Sequence, residues 1–258
     1  MPPRALRPSG LFLIDKPSGP SSFAVVAETR RRTGARTGHA GTLDPFASGL
    51  LLVLSGAATR LAPWLVGLDK RYLTDIDVAA QTSTGDPEGE VVDSHEPPSE
   101  EELAERLEHL RGEVELPIPA ASAVKVGGER AYRLHRRGVA VEMPVRLSRI
   151  HALDVITYSH GVATLDLRVG SGTYIRSVAA ALGGHCCTLR RTEVGAFRVE
   201  DADPHHLVPP AEALAFLPSV EVSAEEAEAV RAGQRRFAEA VRVVHEGALV
   251  AVNGTVLP

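Results

Sequence analysis

The segment from Gly38 to Pro45 carries the residue types of this sequence that are best suited to chemistry. It reads Gly-His-Ala-Gly-Thr-Leu-Asp-Pro. Its two glycines allow the backbone to approach a ligand closely, and Pro45 restricts the backbone of Asp44. Such a loop holds one carboxylate rigidly, and His39 offers a flat ring or a proton carrier. Taken alone, an Asp-Pro turn is also typical of a purely structural turn, because aspartate bonds to its own backbone there.

Common catalytic motifs are absent from the rest of the sequence. It contains no Walker phosphate loop, GxGxxG dinucleotide motif, HExxH zinc motif or GxSxG serine-hydrolase motif. The two cysteines, Cys186 and Cys187, are adjacent and match no zinc-ligand spacing. We therefore expect them to be small side chains of the interior, and we predict no metal site.

Composition and charge limit the class of protein. The 258 residues are 44% hydrophobic and 24% charged, which excludes collagen-like, disordered and disulfide-scaffold proteins. The most apolar run, Leu50 to Leu54, is far too short to span a membrane. The net charge is −5, yet seven basic and two acidic residues lie between Lys125 and Arg149. Five arginines and one acidic residue lie between Arg168 and Arg198. We expect a soluble cytoplasmic protein with a basic face, although a solvated arginine-rich surface would give the same pattern.

Local patterns predict the elements that position the Asp44 segment. A short buried strand over Leu11 to Ile14 is followed by a helix that Ser21 or Ser22 caps and Gly34 ends. The stretch 38–51 contains three glycines and a proline, so we expect an irregular loop there.

The later elements come from alternation and capping patterns. Apolar residues alternate over 72–78 and 163–169, as in half-buried strands. Two capping boxes predict helices: Ser99 with Glu102, and Ser223 with Glu226. Two shorter helices are expected over 129–137 and 175–182, and the prolines at 204, 209, 210 and 218 suggest a linker. Because strands and helices do not alternate as βαβ units, we predict an α+β fold.

Six motifs in order along residues 10–200 resemble those of the bacterial tRNA pseudouridine-55 synthases, the TruB family. They are the strand and KPxG turn at 13–19, GHAGTLDPFASGLL at 38–51, the KxY segment at 70–72, the SAxKxxGxxxY segment at 122–132, GTYIR at 172–176 and LRRTxVGxF at 189–197. The resemblance implies a pseudouridine synthase fold, with a mixed, largely antiparallel central sheet flanked by helices. It implies a catalytic domain over 1–210 and a short PUA-like RNA-binding segment over 219–258.

The resemblance also assigns roles to residues of this chain. It implies that Asp44 is the catalytic nucleophile and that Arg176 keeps it ionised. It implies that Tyr72 stacks on a flipped-out base. The other residues expected around the target uridine are His39, Tyr174 and Leu189, and those expected to contact RNA elsewhere are Lys16, Lys125, Arg190 and Arg191. For Lys16, positioning of the strand end is the alternative role.

The implied reaction explains why these residue types suffice. Pseudouridine formation breaks the N1–C1′ bond, rotates the uracil, joins C5 to C1′ and removes the C5 proton. It needs neither cofactor nor metal. The carboxylate can attack C1′ or C6, or assist departure of the base electrostatically, and the sequence does not choose between these routes.

The expected partner is the T arm of tRNA, modified at position 55 of the T-loop by a monomer that does not contact membranes. Two other classes stay open at this point. A tRNA-folding chaperone with incidental catalysis would not need Asp44, and a hydrolase using Asp44 and His39 would release free uracil.

Overall fold

The computed structural model describes residues 8–139, 141–237, 241–252 and 255–257. The strands in these residues are β1 (Gly10–Lys16), β2 (Thr37–His39), β3 (Ser48–Ser55), β4 (Lys70–Asp77), β5 (Ala80–Thr82), β6 (Val91–Ser94), β7 (Gly112–Pro117), β8 (Lys125–Val126), β9 (Glu129–Arg130), β10 (Val145–Ser159), β11 (Val162–Val169), β12 (His185–Val194), β13 (Phe197–Arg198), β14 (Asp203–Val208), β15 (Ser219–Glu221), β16 (Arg242–His245), β17 (Ala248–Val252) and β18 (Thr255–Val256). The α-helices are α1 (Ser22–Thr33), α2 (Ala62–Val66), α3 (Glu100–Glu108), α4 (Ala131–Arg136), α5 (Ile175–Ala181), α6 (Pro210–Ala213) and α7 (Ala224–Arg231).

Helix α1 has the limits that its sequence predicts. The Ser21 hydroxyl accepts a hydrogen bond from the Ala24 N–H at 3.2 Å, which satisfies a donor of the first turn. Gly34 follows the helix in the left-handed conformation, and its N–H bonds to the Arg30 carbonyl at 2.9 Å. A residue with a side chain is strained in this conformation, so glycine is suited to ending the helix here.

The chain forms two compact units, and the first comprises Met1–Pro45, Gly49–Val66 and Gly195–Pro258. In it, β1 lies between β14 and β3, and β2 pairs with β3. These pairings are antiparallel. The side chains of β3 from Leu50 to Leu54 are fully buried, which makes this strand the centre of the unit's core.

A second sheet of the first unit contains β15 to β18 in chain order. Strand β15 runs parallel to β16, and the other pairs are antiparallel. Helix α7 begins with the predicted capping box of Ser223 and Glu226. A small apolar core lies between the helix and the sheet and consists of Val222, Ala227, Val230, Val243, Val250 and Ala251.

The second unit comprises Phe46–Ser48 and Gly67–Val194. Its main sheet has the strand order β12-β4-β11-β10-β7, and all four pairings are antiparallel. Helix α5 packs against β7 and β12. Two small hairpins, β5 with β6 and β8 with β9, complete the unit. The predicted α+β class is confirmed, because helices and strands are interspersed and the main strand pairings are antiparallel.

Three local expectations are wrong. The stretch 38–51 is not one loop, because Gly38 and His39 belong to β2 and residues from Ser48 onward belong to β3. Long-range pairing of Gly38 with Leu54 and of His39 with Val53 recruits these residues into the sheet despite the glycines. Only residues 40–47 are irregular.

The second error is the linker expected at the prolines near 210. Pro204 lies in β14, which ends the strand order of its sheet, so the missing N–H of proline disrupts no ladder. Pro210 begins α6, a helix position at which proline is favoured. The third error is the start of the helix expected over 129–137, because Glu129 and Arg130 pair with β8 and the helix begins at Ala131.

The cysteines match the expected interior position only in part. Cys186 is buried, Cys187 is half-buried, and neither forms a disulfide. None of the helices in the described parts of the chain is long and apolar enough to cross a membrane.

Candidate active site

Asp44 is held through the backbone of the residues on both sides of it. On one side, the buried Ser22 hydroxyl donates to the Leu43 carbonyl at 2.7 Å and accepts from the Leu43 N–H at 2.8 Å. On the other side, the Pro45 carbonyl accepts from the Gly19 N–H at 2.8 Å. The segment that carries Asp44 is therefore fastened to the start of α1 and to the turn that precedes it.

Lys16 contributes to the same fastening. Its side chain is fully buried at the end of β1. The ammonium group donates to the carbonyls of Pro17 at 2.9 Å, Pro20 at 2.8 Å and Pro45 at 3.2 Å. A buried ammonium requires such acceptors, because leaving water is costly for a charge. Lys16 therefore ties the residue after Asp44 to the turn at 17–20.

His39 lies at the end of β2, five residues before Asp44. It is half-buried and opposite Val53 of β3 in the register. The sheet thus sets the starting point of the irregular segment 40–47, and the contacts of Ser22, Gly19 and Lys16 set its end. This arrangement gives the carboxylate a defined place, as a catalytic group requires.

In the second unit, the strand register brings Tyr72, Leu189 and Arg191 together. Tyr72 of β4 lies opposite Arg191 of β12, and Leu189 lies opposite Thr74, two residues further along β4. Side chains directly opposite in such a pair have Cβ atoms about 5 Å apart. All three side chains are buried. They form one continuous patch on a single face of the sheet.

Arg176 is buried at the first turn of α5. Its guanidinium group donates to the Thr84 carbonyl at 2.8 Å and to the Ala121 carbonyl at 3.0 Å. Its Nη1 lies 3.4 Å from Oδ2 of Asp86, and both side chains are at most 7% exposed. The planar guanidinium group of an arginine carries several N–H donors that point in different directions, so it can reach this set of acceptors. Asp86 in turn accepts from the Thr84 hydroxyl at 2.5 Å and from the Glu88 N–H at 3.1 Å.

Lys70 is a buried lysine that shares the patch face of β4 with Tyr72. Its ammonium group donates to the Leu68 carbonyl. Burial, and secondly the charge of Arg191, lowers the pKa of Lys70 to about 8, whereas the Asp69 carboxylate acts in the opposite direction. The pKa of Lys70 therefore lies well below that of a lysine in water, so its side chain changes charge near pH 8.

The remaining predicted residues lie at more exposed positions. Tyr174 is half-buried immediately before α5, and its carbonyl accepts from the Ser177 N–H at 3.0 Å. Arg190 of β12 is half-buried, with Nη1 3.5 Å from the Ser48 hydroxyl. Lys125 is exposed in β8.

The positive charge of the Lys125 to Arg149 segment is partly neutralised. Arg137 forms an ion pair with Glu129 at 2.8 Å, and Arg149 forms one with Glu113. Arg133 and Arg136 instead lie over the Tyr132 ring, with guanidinium carbons 5.9 and 5.8 Å from its centre. The hairpin of β8 and β9 with α4 is thus the part of this segment that keeps its basic character.

The structure divides the predicted site residues between the two units. Lys16, His39 and Asp44 belong to the first, and the others belong to the second. The expected ion pair of Asp44 with Arg176 stays a prediction. In the described ranges, no three histidine, cysteine, aspartate or glutamate side chains are grouped as metal ligands would be.

Sequence reasoning missed the roles of Asp86 and Ser22, which hold other residues of the candidate site in place. Asp86, the acidic partner of Arg176, follows a glycine and precedes a proline, a pattern typical of a turn that does not reveal its partner. Its signal was the same Asp-Pro pattern that drew attention to Asp44. Ser22 was recognised only as a possible cap, because its contact with Leu43 spans 21 residues and has no local signature.

Comparison with known proteins identifies close relatives. Residues 30–175 match the family described as "TruB family pseudouridylate synthase (N terminal domain)". The chain is 42% identical over 239 residues to the tRNA pseudouridine synthase B of Leifsonia xyli subsp. xyli. This alignment covers 86% of this chain and 78% of that protein. It is 39% identical over 242 residues to the enzyme of the same name from Syntrophobacter fumaroxidans, covering 85% and 79%.

A solved structure shows the same fold. It is the crystal structure of a Cbf5-Nop10-Gar1 complex, one chain of which aligns with a TM-score of 0.71 at 23% identity. The alignment covers 94% of this chain and 77% of that one. The predicted fold is confirmed by this likeness.

Proposed function

Because this chain belongs to the TruB family of pseudouridylate synthases, we propose that it converts a uridine of tRNA into pseudouridine. The proposed target is position 55 in the T-loop, and the base leaves its stack to reach the site. The observation that carries the catalytic part of this proposal is the anchoring of the backbone on both sides of Asp44. A group that must act on one atom of a nucleotide needs such a fixed position.

Asp44 is the proposed catalytic carboxylate. It attacks C1′ or C6 of the target nucleotide, or stabilises the departing base electrostatically. Each route leaves the number of atoms unchanged, since the base is reattached through C5, the C5 proton is released and N1 takes up one proton. The side chains of this chain would supply the positioning and charge that the isomerisation needs.

The other predicted residues take binding roles in this proposal. Tyr72 and Leu189 provide a stacking partner and an apolar wall for the uracil, which their shared sheet face supports. His39 and Tyr174 contact the target nucleotide. The basic hairpin around Lys125 contacts phosphates of the T arm, as does the half-buried Arg190.

The replacement of Asp44 by asparagine tests the proposal. The variant keeps the shape of the side chain and removes its charge, so pseudouridine formation should fall to background while tRNA affinity stays within a few-fold of wild type. Asp93→Asn is a matched control, because Asp93 is an exposed carboxylate of β6 that pairs loosely with His95 at 3.8 Å. A tRNA transcript with cytidine in place of uridine 55 tests the target position.

Each alternative predicts a different result in this experiment. A chaperone would remain functional as Asp44→Asn, and a hydrolase would release free uracil from the wild-type protein. An Asp44→Asn variant that isomerises uridine at the wild-type rate would refute the catalytic assignment. Action on tRNA also supports a cytoplasmic location of the protein. Sedimentation of the free protein tests the proposal that it is a monomer.

A further inference from the structure

Helix α1 presents a large aromatic side chain to solvent. Phe23, at the start of the helix, is 76% exposed. The opposite side of α1 packs inward through Ser22, Val25, Val26 and Thr29. A single exposed ring is common on protein surfaces, so the meaning of this one depends on the residues around it.

The start of α1 is part of the Asp44 site. Ser22, the residue before Phe23, holds both backbone polar groups of Leu43, the residue before Asp44. Consecutive Cα atoms are about 3.8 Å apart. The backbone of Phe23 is therefore one residue away from the contact that fixes the segment carrying the proposed catalytic carboxylate.

Two arginines continue the same side of the helix. Arg30 is seven residues after Phe23, so at 100° per residue it lies on nearly the same side of the helix, about 10 Å further along the axis. Arg31 is the next residue after Arg30. Both arginines are exposed. Within the described parts of the chain, no carboxylate lies within ion-pair distance of either one, whereas Arg71, Arg137 and Arg149 are each paired.

We infer that Phe23, Ala27, Arg30 and Arg31, here called the α1 face, bind the RNA strand beside the target uridine. Phe23 stacks on an unpaired base, and the arginines contact phosphates of nucleotides further from the site. The inference rests on the proposed function and deepens it by assigning the RNA contact to named residues. An exposed ring followed by uncompensated positive charge matches the pattern by which proteins bind single-stranded nucleic acid.

Affinity for an unmodified tRNA transcript tests the role of Phe23. Measured with Asp44→Asn proteins, which bind without turnover, Phe23→Ala should weaken binding about 5- to 100-fold, the usual effect of losing one base stack. Phe23→Trp should retain affinity, and Phe23→Leu should lose it, because leucine is apolar but has no ring. Phe216→Ala is the control, since Phe216 is 43% exposed outside the α1 face.

The arginines and the kinetics give independent readouts. Replacing Arg30 and Arg31 with glutamine should reduce the slope of log affinity against log salt concentration by about 1.5. With Asp44 intact, Phe23→Ala should raise KM and leave the rate at saturating tRNA within about twofold, a general estimate for lost uniform binding.

Three results would overturn the inference. The first is Phe23→Ala affinity within twofold of its parent, and the second is equal affinity of the leucine and tryptophan variants. The third is a dimer of the parent protein that Phe23→Ala converts to a monomer, which would show that a second copy covers the ring. Failure of the proposed function looks different, because wild-type protein would then form no pseudouridine while the affinity comparison could still be made.

Discussion

Replacing Ser22 with alanine removes one hydroxyl group at the start of α1. This change should impair catalysis more than the same replacement at Ser21. The Ser22 hydroxyl satisfies both the N–H and the carbonyl of buried Leu43. A buried backbone group without a partner costs about 1–3 kcal/mol. Two such groups put the expected loss of stability at about 2–6 kcal/mol, which the higher helix propensity of alanine reduces by at most about 0.5 kcal/mol.

The same loss frees the segment that carries Asp44. A shift of about 1 Å in a catalytic group costs on the order of 100-fold in rate, so the rate at saturating tRNA should fall about 10- to 100-fold. The assay is the release of tritium from C5-labelled uridine in a tRNA transcript, with urea unfolding measured in parallel.

The neighbouring serine provides the control for Ser22. Ser21 is exposed, and among the described contacts its hydroxyl accepts only the 3.2 Å helix-capping bond from the Ala24 N–H. Ser21→Ala should therefore cost about 1 kcal/mol of stability and leave the rate unchanged. A folded Ser22→Ala protein that releases tritium at the wild-type rate would refute the positioning argument.

Two further predictions concern buried cations. Arg176→Lys should lower both pseudouridine formation and stability, the latter by about 1–3 kcal/mol, because an ammonium group cannot reach the Thr84 and Ala121 carbonyls and Asp86 together. Lys70 has a folded-state pKa of about 8, below its ordinary value near 10.4, so the unfolded chain binds more protons between these values and stability rises with pH. From pH 7.5 to 9.5 the wild type should gain about 2 kcal/mol relative to Lys70→Met, measured by urea unfolding at both values.

Each of these predictions has an outcome that would contradict it. Unchanged turnover and an unchanged unfolding midpoint in Arg176→Lys would mean that the guanidinium group is not needed to hold the Thr84 and Ala121 carbonyls and Asp86. For Lys70, parallel pH profiles of the two proteins would mean that the lysine titrates normally. Comparing wild type with Lys70→Met at each pH removes the contribution of every other group that titrates in this range.

Elements governed by neighbouring residues were predicted from the sequence. The limits of α1 follow from Ser21 and Gly34, and the start of α3 follows from Ser99 with Glu102. These caps act over three or four residues, so their residue types are enough to identify them. The catalytic candidate Asp44 came from the glycines and the proline around it together with the family resemblance.

Features governed by distant residues were not predicted. Strand β2 exists because Gly38 pairs with Leu54, and the turn at Asp86 is held by Arg176. Lys16 reaches Pro45 across 29 residues. Composition indicates that such polar groups need partners, but only the folded chain determines which partners they meet. The sequence therefore predicts a candidate catalytic carboxylate but not the contacts that hold its segment.

The burial of Lys16 and Arg176 is not explained by stability. Moving a charged group out of water costs several kcal/mol even after relaxation, and apolar replacements of buried ions are often neutral or stabilising. Both cations bond to backbone carbonyls of irregular segments, Lys16 at the residue after Asp44 and Arg176 at the turn before Asp86. A methionine in either place would fill the space but would remove these hydrogen bonds and leave the segments less firmly held. The directional hydrogen bonds of these cations, rather than any gain in stability, account for their charges in the interior.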